Sequence, residues 1–225
     1  MVYWNTQEVI QALLGGALIA LSATLNLLYY GRISGLSGMF YSVSTLDKTG
    51  GLYWKYSFLC GLLTIPVLGS LIFGNILTMG DLNIVLFDSD FYSVMNLSIA
   101  GWFLGGFLVG VGTKMGNGCT SGHGVCGIPR LSIRSIIATC TFMATGIAMA
   151  TLRYYVPFFH NGKYFGDTYY NAYHWVFLGV FIVLMLGYVG LLVANFQMEW
   201  VHNYLFGFIF GFGLVLSGMC RISKI

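Results

Sequence analysis

Charge is the scarcest property of this chain. Only 8% of its 225 residues are Asp, Glu, Lys or Arg, and 57% are hydrophobic, whereas soluble domains carry roughly 25% charged residues. That deficit excludes a soluble domain and defines an integral membrane protein. The net charge of +3 is small and dispersed, and no Arg/Lys-rich run exists to follow a phosphate backbone, which excludes nucleic acid as a partner. Paired cysteines are missing too. Cys60, Cys119, Cys126, Cys140 and Cys220 form no CxxC, and the seven-residue spacing of Cys119 and Cys126 matches no common zinc site. An odd number of thiols inside apolar segments implies free cysteines rather than a disulfide framework, with no metal and no cofactor expected. Carboxylate pairs, HExxH, GxSxG and P-loop motifs are absent, so hydrolase and ATPase chemistry lacks its residues and the chain reads as a non-enzyme. The N-terminus, MVYWNTQEV, has no basic n-region, and the first apolar segment is too long for an h-region. Neither a signal peptide nor an Arg- and Ser-rich transit peptide is expected.

What the chain does have is apolar segments of spanning length, and 17% aromatic residues suited to interfacial belts. About 20 apolar residues cross the hydrocarbon core as a helix. Residues 9–30 form the first such span, with Gly15, Gly16, Ala17, Ala20 and Ser22 suited to close helix contact. Residues 31–45 are apolar but Gly- and Ser-rich and too short to cross, so a re-entrant or broken helix is expected there. Further spans are predicted at 56–77 with a kink at Pro66, then at 94–113, 135–155, 173–196 and 200–220. Residues 78–93 and 156–172 read as loops, and the glycosylation sequon Asn96-Leu97-Ser98 is discounted because it falls in a span. The fold class is therefore all-α: a polytopic membrane helical bundle of about six transmembrane helices plus short re-entrant or broken helices, in a single domain over 1–225. Weak internal repeats surround 31–45, 115–134 and 212–225, where Ser37-Gly38, Ser121-Gly122 and Ser217-Gly218 each stand beside a bulky residue. Glycine-interrupted segments at corresponding positions point to a transporter site, although small-residue runs are common in any tightly packed membrane helix. By the positive-inside rule, Arg32, Lys48, Lys55, Lys114, Arg130 and Arg134 gather on the cytoplasmic or matrix side, which places the N-terminus outside.

The stretch 115–134, MGNGCTSGHGVCGIPRLSIR, organises the rest. It holds five glycines, two cysteines, one histidine and two arginines between two spans, and Lys114 precedes it. Irregular backbone at membrane depth is tolerated only where it is buried in protein or lines a cavity. Broken helices aim their positive ends at anions. Backbone N–H groups of Gly116, Gly118, Gly122 and Gly124 are unobstructed by side chains. Thr120 and Ser121 can cap a helix start and donate hydroxyl hydrogen bonds. Lys114 and Arg130 can steer an anion inward, and Arg134 can do so or merely anchor its span. Cys119 offers a weak, polarizable donor suited to a soft sulfur group that must bind and then leave; its competing reading is a small buried hydrophobe. His123 reads equally as a proton shuttle or as a structural hydrogen-bonder. Cys126 reads as structural, Cys60 and Cys140 as packing, and Cys220 as a second relay thiol. His160, His174 and His202, near span ends, are assigned no role.

At GNGCTSGHGVCGIPRLSIRSIIATCTFM the chain resembles the YeeE/YedE sulfur-transport family, whose motif runs close to GCTSGHGVCGLSRLS. The run GRISGLSGMF at 31–40 looks like that family's first glycine-rich segment. FGFGLVLSGMCRISK at 210–224 looks like the start of the second half in two-part members. The resemblance implies uptake of a small sulfur-containing anion such as thiosulfate through a cysteine-lined bundle, with Cys119 as a substrate-contacting thiol and Cys220 similar to another. Met39 stands where some members carry cysteine. The chain stops at Ile225, just inside the later motif, which implies a second-half partner subunit or a place in a larger membrane complex. A non-transporting structural subunit is the alternative; a thiol-redox enzyme would need a cofactor or reactive pair that the sequence does not clearly offer. The membrane implied is a bacterial-type plasma membrane or an organelle (mitochondrial) inner membrane.

Overall fold

A computed structural model of the chain describes residues 6–47, 50–68, 76–79, 82–85, 99–156, 167–194 and 197–219. The chain is a helical membrane bundle. Helix α1 spans Thr6–Tyr30, the short α2 Leu36–Ser44, α3 Leu52–Leu68 and α4 Ile99–Met115. A π-helical stretch follows at Gly122–Gly127. Then come α5 at Ile133–Tyr155, α6 at Asp167–Ala194 and α7 at Met198–Leu216. Among the described residues, three stretches are long and apolar enough to cross a membrane alone: Glu8–Tyr30, Ile133–Tyr155 and Met198–Leu216. The sequon at 96–98 lies outside the described residues.

One expected span is corrected. Among the described residues, the apolar run read as a helix over 56–77 begins earlier, is helical over Leu52–Leu68 with Pro66 in its last turn, and has Ile76 and Leu77 in a strand instead. Beyond it, strand β1 (Ile76–Met79) pairs antiparallel with β2 (Leu82–Val85), Ile76 opposite Val85 and Met79 opposite Leu82. Hydropathy alone does not separate a helix end from a short apolar strand.

The packed centre is made by α1, α3 and α7. In lipid no hydrophobic force pulls helices together, so close backbone approach and interhelical hydrogen bonds must do it. Gly207 and Gly211, four residues apart on α7, supply the approach. A Cβ on Gly207 would press on the Phe58 carbonyl, and one on Gly211 would stand 2.6 Å from the Leu62 carbonyl. Helices α3 and α7 thus run parallel, and the Tyr53 and Trp200 rings meet at 5.2 Å near their starts. Helix α1 runs antiparallel to α7. The Ser22 hydroxyl donates to the Phe206 carbonyl at 2.6 Å, and Tyr30 shares a 2.8 Å hydrogen bond with His202 Nδ1. Phe58 and Phe210, both fully buried, pack edge-on at 5.8 Å, and Met39 of α2 closes the same cluster. Burial of Cys60 in α3 agrees with its packing role.

Helix α5 is the opposite case. Ser135 is its one buried residue, and Cys140, expected to pack, is exposed. The span is apolar enough to read as core, but most of its surface is exposed. Three of its hydroxyls satisfy themselves: Thr141, Thr145 and Thr151 each donate to the carbonyl four residues back at 2.8 Å, which removes exposed donors from hydrocarbon; the Thr139 hydroxyl, by contrast, is buried and makes no such bond.

Candidate functional site

The site begins where α4 ends. Gly116 N–H bonds to the Gly112 carbonyl at 2.9 Å and Gly118 N–H to the Thr113 carbonyl at 3.0 Å. Asn117, at φ +55°, takes the left-handed conformation that closes such helix ends. The chain reverses, and helix resumes at Thr120 and Ser121 before widening into the π-helical turn. Its five-residue hydrogen bonds continue past the element: Ile128 N–H to the His123 carbonyl at 3.0 Å and Ser132 N–H to the Gly127 carbonyl at 3.2 Å. π-Turns of this kind recur at functional sites.

Two expectations about this loop change. Ser121 makes no side-chain cap; its hydroxyl instead lies 2.9 Å from Cys119 Sγ. Ser121 already takes helical dihedrals, φ −66° and ψ −41°, inside the resumed helix, rather than the extended conformation of a capping residue. His123 is buried, with Nδ1 3.0 Å from Ser135 Oγ and Nε2 3.3 Å from the Gly116 carbonyl. A carbonyl only accepts, so Nε2 carries a hydrogen. The ring is thus hydrogen-bonded at both nitrogens and ties the turn after α4 to the first turn of α5. Glycine makes this possible: a Cβ on Gly118 would sit 2.9 Å from His123 Nε2, and one on Gly127 would overlap the Ser135 side chain.

Cys119 is half-buried where the start of α2 meets the start of the resumed helix. Besides Ser121, its polar neighbours are the hydroxyl and backbone N–H of Ser37 and the backbone N–H of Gly122. A Cβ on Gly122 would touch both Cys119 Sγ and Gly35 Cα at 3.9 Å, so the two segments meet across a glycine. Of the Ser-Gly steps, two lie at helix starts around Cys119. The third ends α7, with Gly218 at φ +72°. Cys126 is half-buried with Sγ 4.0 Å from the Ser34 carbonyl. Cys220 lies outside the described residues.

Beside this junction opens a cavity of about 920 Å³, lined by α2, α3, α4 and the loop. Gly118, Gly122, His123, Lys114 and Arg130 border it, as does Met39; Cys119, Thr120 and Ser121 are not among its lining residues, although Cys119 is hydrogen-bonded to Ser37 and Gly122, which are. The sequence reading missed Lys55, Ser37, Tyr41 and Trp54, which also line it. Lys55 Nζ donates to Ser42 Oγ at 2.8 Å, and Lys114 Nζ stands 4.0 Å from the centre of the Tyr41 ring. The cavity therefore has three cations, Lys55, Lys114 and Arg130, and among the described residues lining it there is no Asp or Glu. Lys55 gave no signal of this in the sequence, because the expected span began at residue 56; the helix over Leu52–Leu68 is what carries it to the cavity. All three belong to the basic group that the sequence assigns to one side of the membrane.

A helical bundle with a broken loop around a cationic cavity is the architecture of a polytopic membrane protein. Over 142 residues the chain is 44% identical to a protein of Xylella fastidiosa strain Temecula1 named a probable transporter, a match covering 62% of this chain and 90% of the relative. It is 43% identical over the same length to a probable transporter of strain 9a5c, with the same coverage. The chain belongs to the family of these probable transporters. No model of a known protein family matches it, and no solved structure does.

Proposed function

We propose that this chain transports a small sulfur-containing anion, thiosulfate or a related species, and that the cationic cavity beside Cys119 is where the anion binds. The observation that carries this reading is the lining itself: three cations, hydroxyls from Ser37, Ser42 and Ser135, and no carboxylate among its described residues. An ionised group leaving water loses solvation worth many kcal/mol. A cation at about 4 Å returns about 4 kcal/mol where the effective dielectric constant is about 20, so several cations acting together are needed. Lys55, Lys114 and Arg130 draw the anion in. The Gly118 and Gly122 N–H groups are already engaged, by the Thr113 carbonyl and the Cys119 sulfur, so the Ser42 hydroxyl, which accepts from Lys55 and keeps its own hydrogen, meets its oxygens. The Cys119 thiol, backed by Ser121 and Ser37, meets its soft sulfur, and Cys220 receives it next. The sulfur specificity is supported by the motif at 116–135 and by the polarizability of a thiol; transport is supported by the names of the relatives.

The proposal extends to a bacterial-type plasma membrane and to a partner, either a second-half subunit or a larger complex that completes the conduit. No chemical transformation is required of the site. An open cavity beside Cys119 favours transport over a structural role, in which these segments would pack shut. The test is uptake of labelled thiosulfate into liposomes holding the purified chain, alone and with any co-purifying subunit. Uptake that vanishes in a well-folded Cys119→Ala variant supports the mechanism; wild-type rates in that variant overturn it.

A further inference from the structure

We infer that Arg32 is the positioning residue of this site, setting where α2 begins and so how Ser37 is held against Cys119. Helix α1 breaks at Gly31, which takes φ +62°, and a short linker leads to α2 at Leu36. Arg32 stands in that linker. Its guanidinium forms a salt bridge with Glu199 in the first turn of α7. The same group lies 4.9 Å from the centre of the Trp54 ring and 5.7 Å from that of Tyr30. Trp54 is itself fixed, since its indole N–H donates to the Gly50 carbonyl at 2.8 Å, and it forms part of the cavity wall. Two residues on, buried Ser34 accepts from Asn26 Nδ2 at 2.9 Å. One linker is thereby tied to α1, α3 and α7 together.

The next residues, Gly35 and Ser37, line the cavity and approach Cys119. A planar guanidinium can pair with a carboxylate and stack on an indole at once, whereas a lysine ammonium keeps the charge and loses the flat stack. Arg32 touches no substrate. It fixes the wall that does, so its removal lets α2 shift away from the thiol. The kinetic part of this inference rests on the transport reading above; the labelling part does not.

The test uses the full chain in liposomes, with Arg32→Gln, Arg32→Lys and Glu199→Gln variants. N-ethylmaleimide labelling is followed by mass spectrometry at Cys119 and, as an internal control, at Cys60 in the packed centre. Arg32→Gln is expected to speed labelling of Cys119 about fivefold and to raise the thiosulfate KM by a similar factor, with the maximal rate within about twofold of wild type. Arg32→Lys and Glu199→Gln fall between it and wild type. Unchanged or slower labelling at Cys119 overturns the inference. So does a parallel rise at Cys60, which marks general loosening. If labelling behaves as expected while wild-type liposomes take up no thiosulfate, the transport reading fails and the positioning role of Arg32 stands.

Discussion

The two sides of the bundle use glycine for opposite purposes. Where α1, α3 and α7 cross, glycine is contact: a Cβ on Gly213 would stand 2.8 Å from the Gly15 carbonyl, and those on Gly61 and Gly207 would collide with backbone of the facing helix. Along α4 and α5, Gly105, Gly106, Gly110, Gly112 and Gly146 would meet nothing within 4 Å. The same residue marks a zipped seam in one place and an open face in the other. Glycine density in a membrane span therefore shows that close approach is permitted, and only the partner helix shows that it is used.

The sharpest break of that contrast comes at the seam. Gly207→Leu drives a side chain into the Phe58 backbone and is expected to abolish the monodisperse peak in detergent size-exclusion chromatography. A normal peak would mean that α3 and α7 are not held by this crossing. Next in size is the loop. Gly127→Ala displaces Ser135 and leaves buried His123 short of a partner, at a cost of about 1–3 kcal/mol, read as a lowered thermal midpoint in detergent. Ser135→Ala tests the same hydrogen bond without the overlap and should cost less.

Smaller effects belong to the cavity rim. Lys55→Gln and Lys114→Gln are each expected to raise the thiosulfate KM several-fold at low salt. The difference should shrink toward 1 M salt, where the Debye length falls to about 3 Å. Salt-independent KM values would show that these lysines do not steer the anion. Smallest of all is Gly106→Ala on the open face, expected to leave the thermal midpoint unchanged or slightly higher, since alanine favours helix by about 1 kcal/mol. A large loss there would reveal a packed neighbour on α4 and erase the contrast.

Much of this architecture was legible in the sequence. The breaks at Gly31 and after Met115 were visible because glycine, serine and a cation interrupt apolar runs that are otherwise long enough to cross. The helix over Ile133–Tyr155 followed directly from its hydropathy. The hairpin at Ile76–Val85 was not legible, because short apolar strands and helix ends share a composition. Cys140 was misread for a related reason: hydropathy identifies a span but does not distinguish its lipid face from its protein face. In the site, Lys114 and Arg130 were found because they flank the glycine-rich motif. Ser37, Lys55 and Trp54 reach the same cavity from α2 and α3, and sequence distance concealed them. The cap expected of Ser121 is not formed because helix already begins at Thr120 and takes in Ser121, a boundary that composition does not fix.

The π-helical turn at Gly122–Gly127 has a consequence for how this loop tolerates change. A stretch wound with one residue to spare can lose that residue and still coil as an ordinary α-helix. What it forfeits is aim: positions inside the turn rotate against those outside it by up to roughly 100°, the angle between successive residues of a helix with 3.6 per turn. The ring of His123 and the hydroxyl of Ser135 would then point in different directions. A deletion in this turn should therefore leave a soundly folded protein whose loop has lost its bearings, which makes the surplus residue a register mark rather than a flaw in the winding.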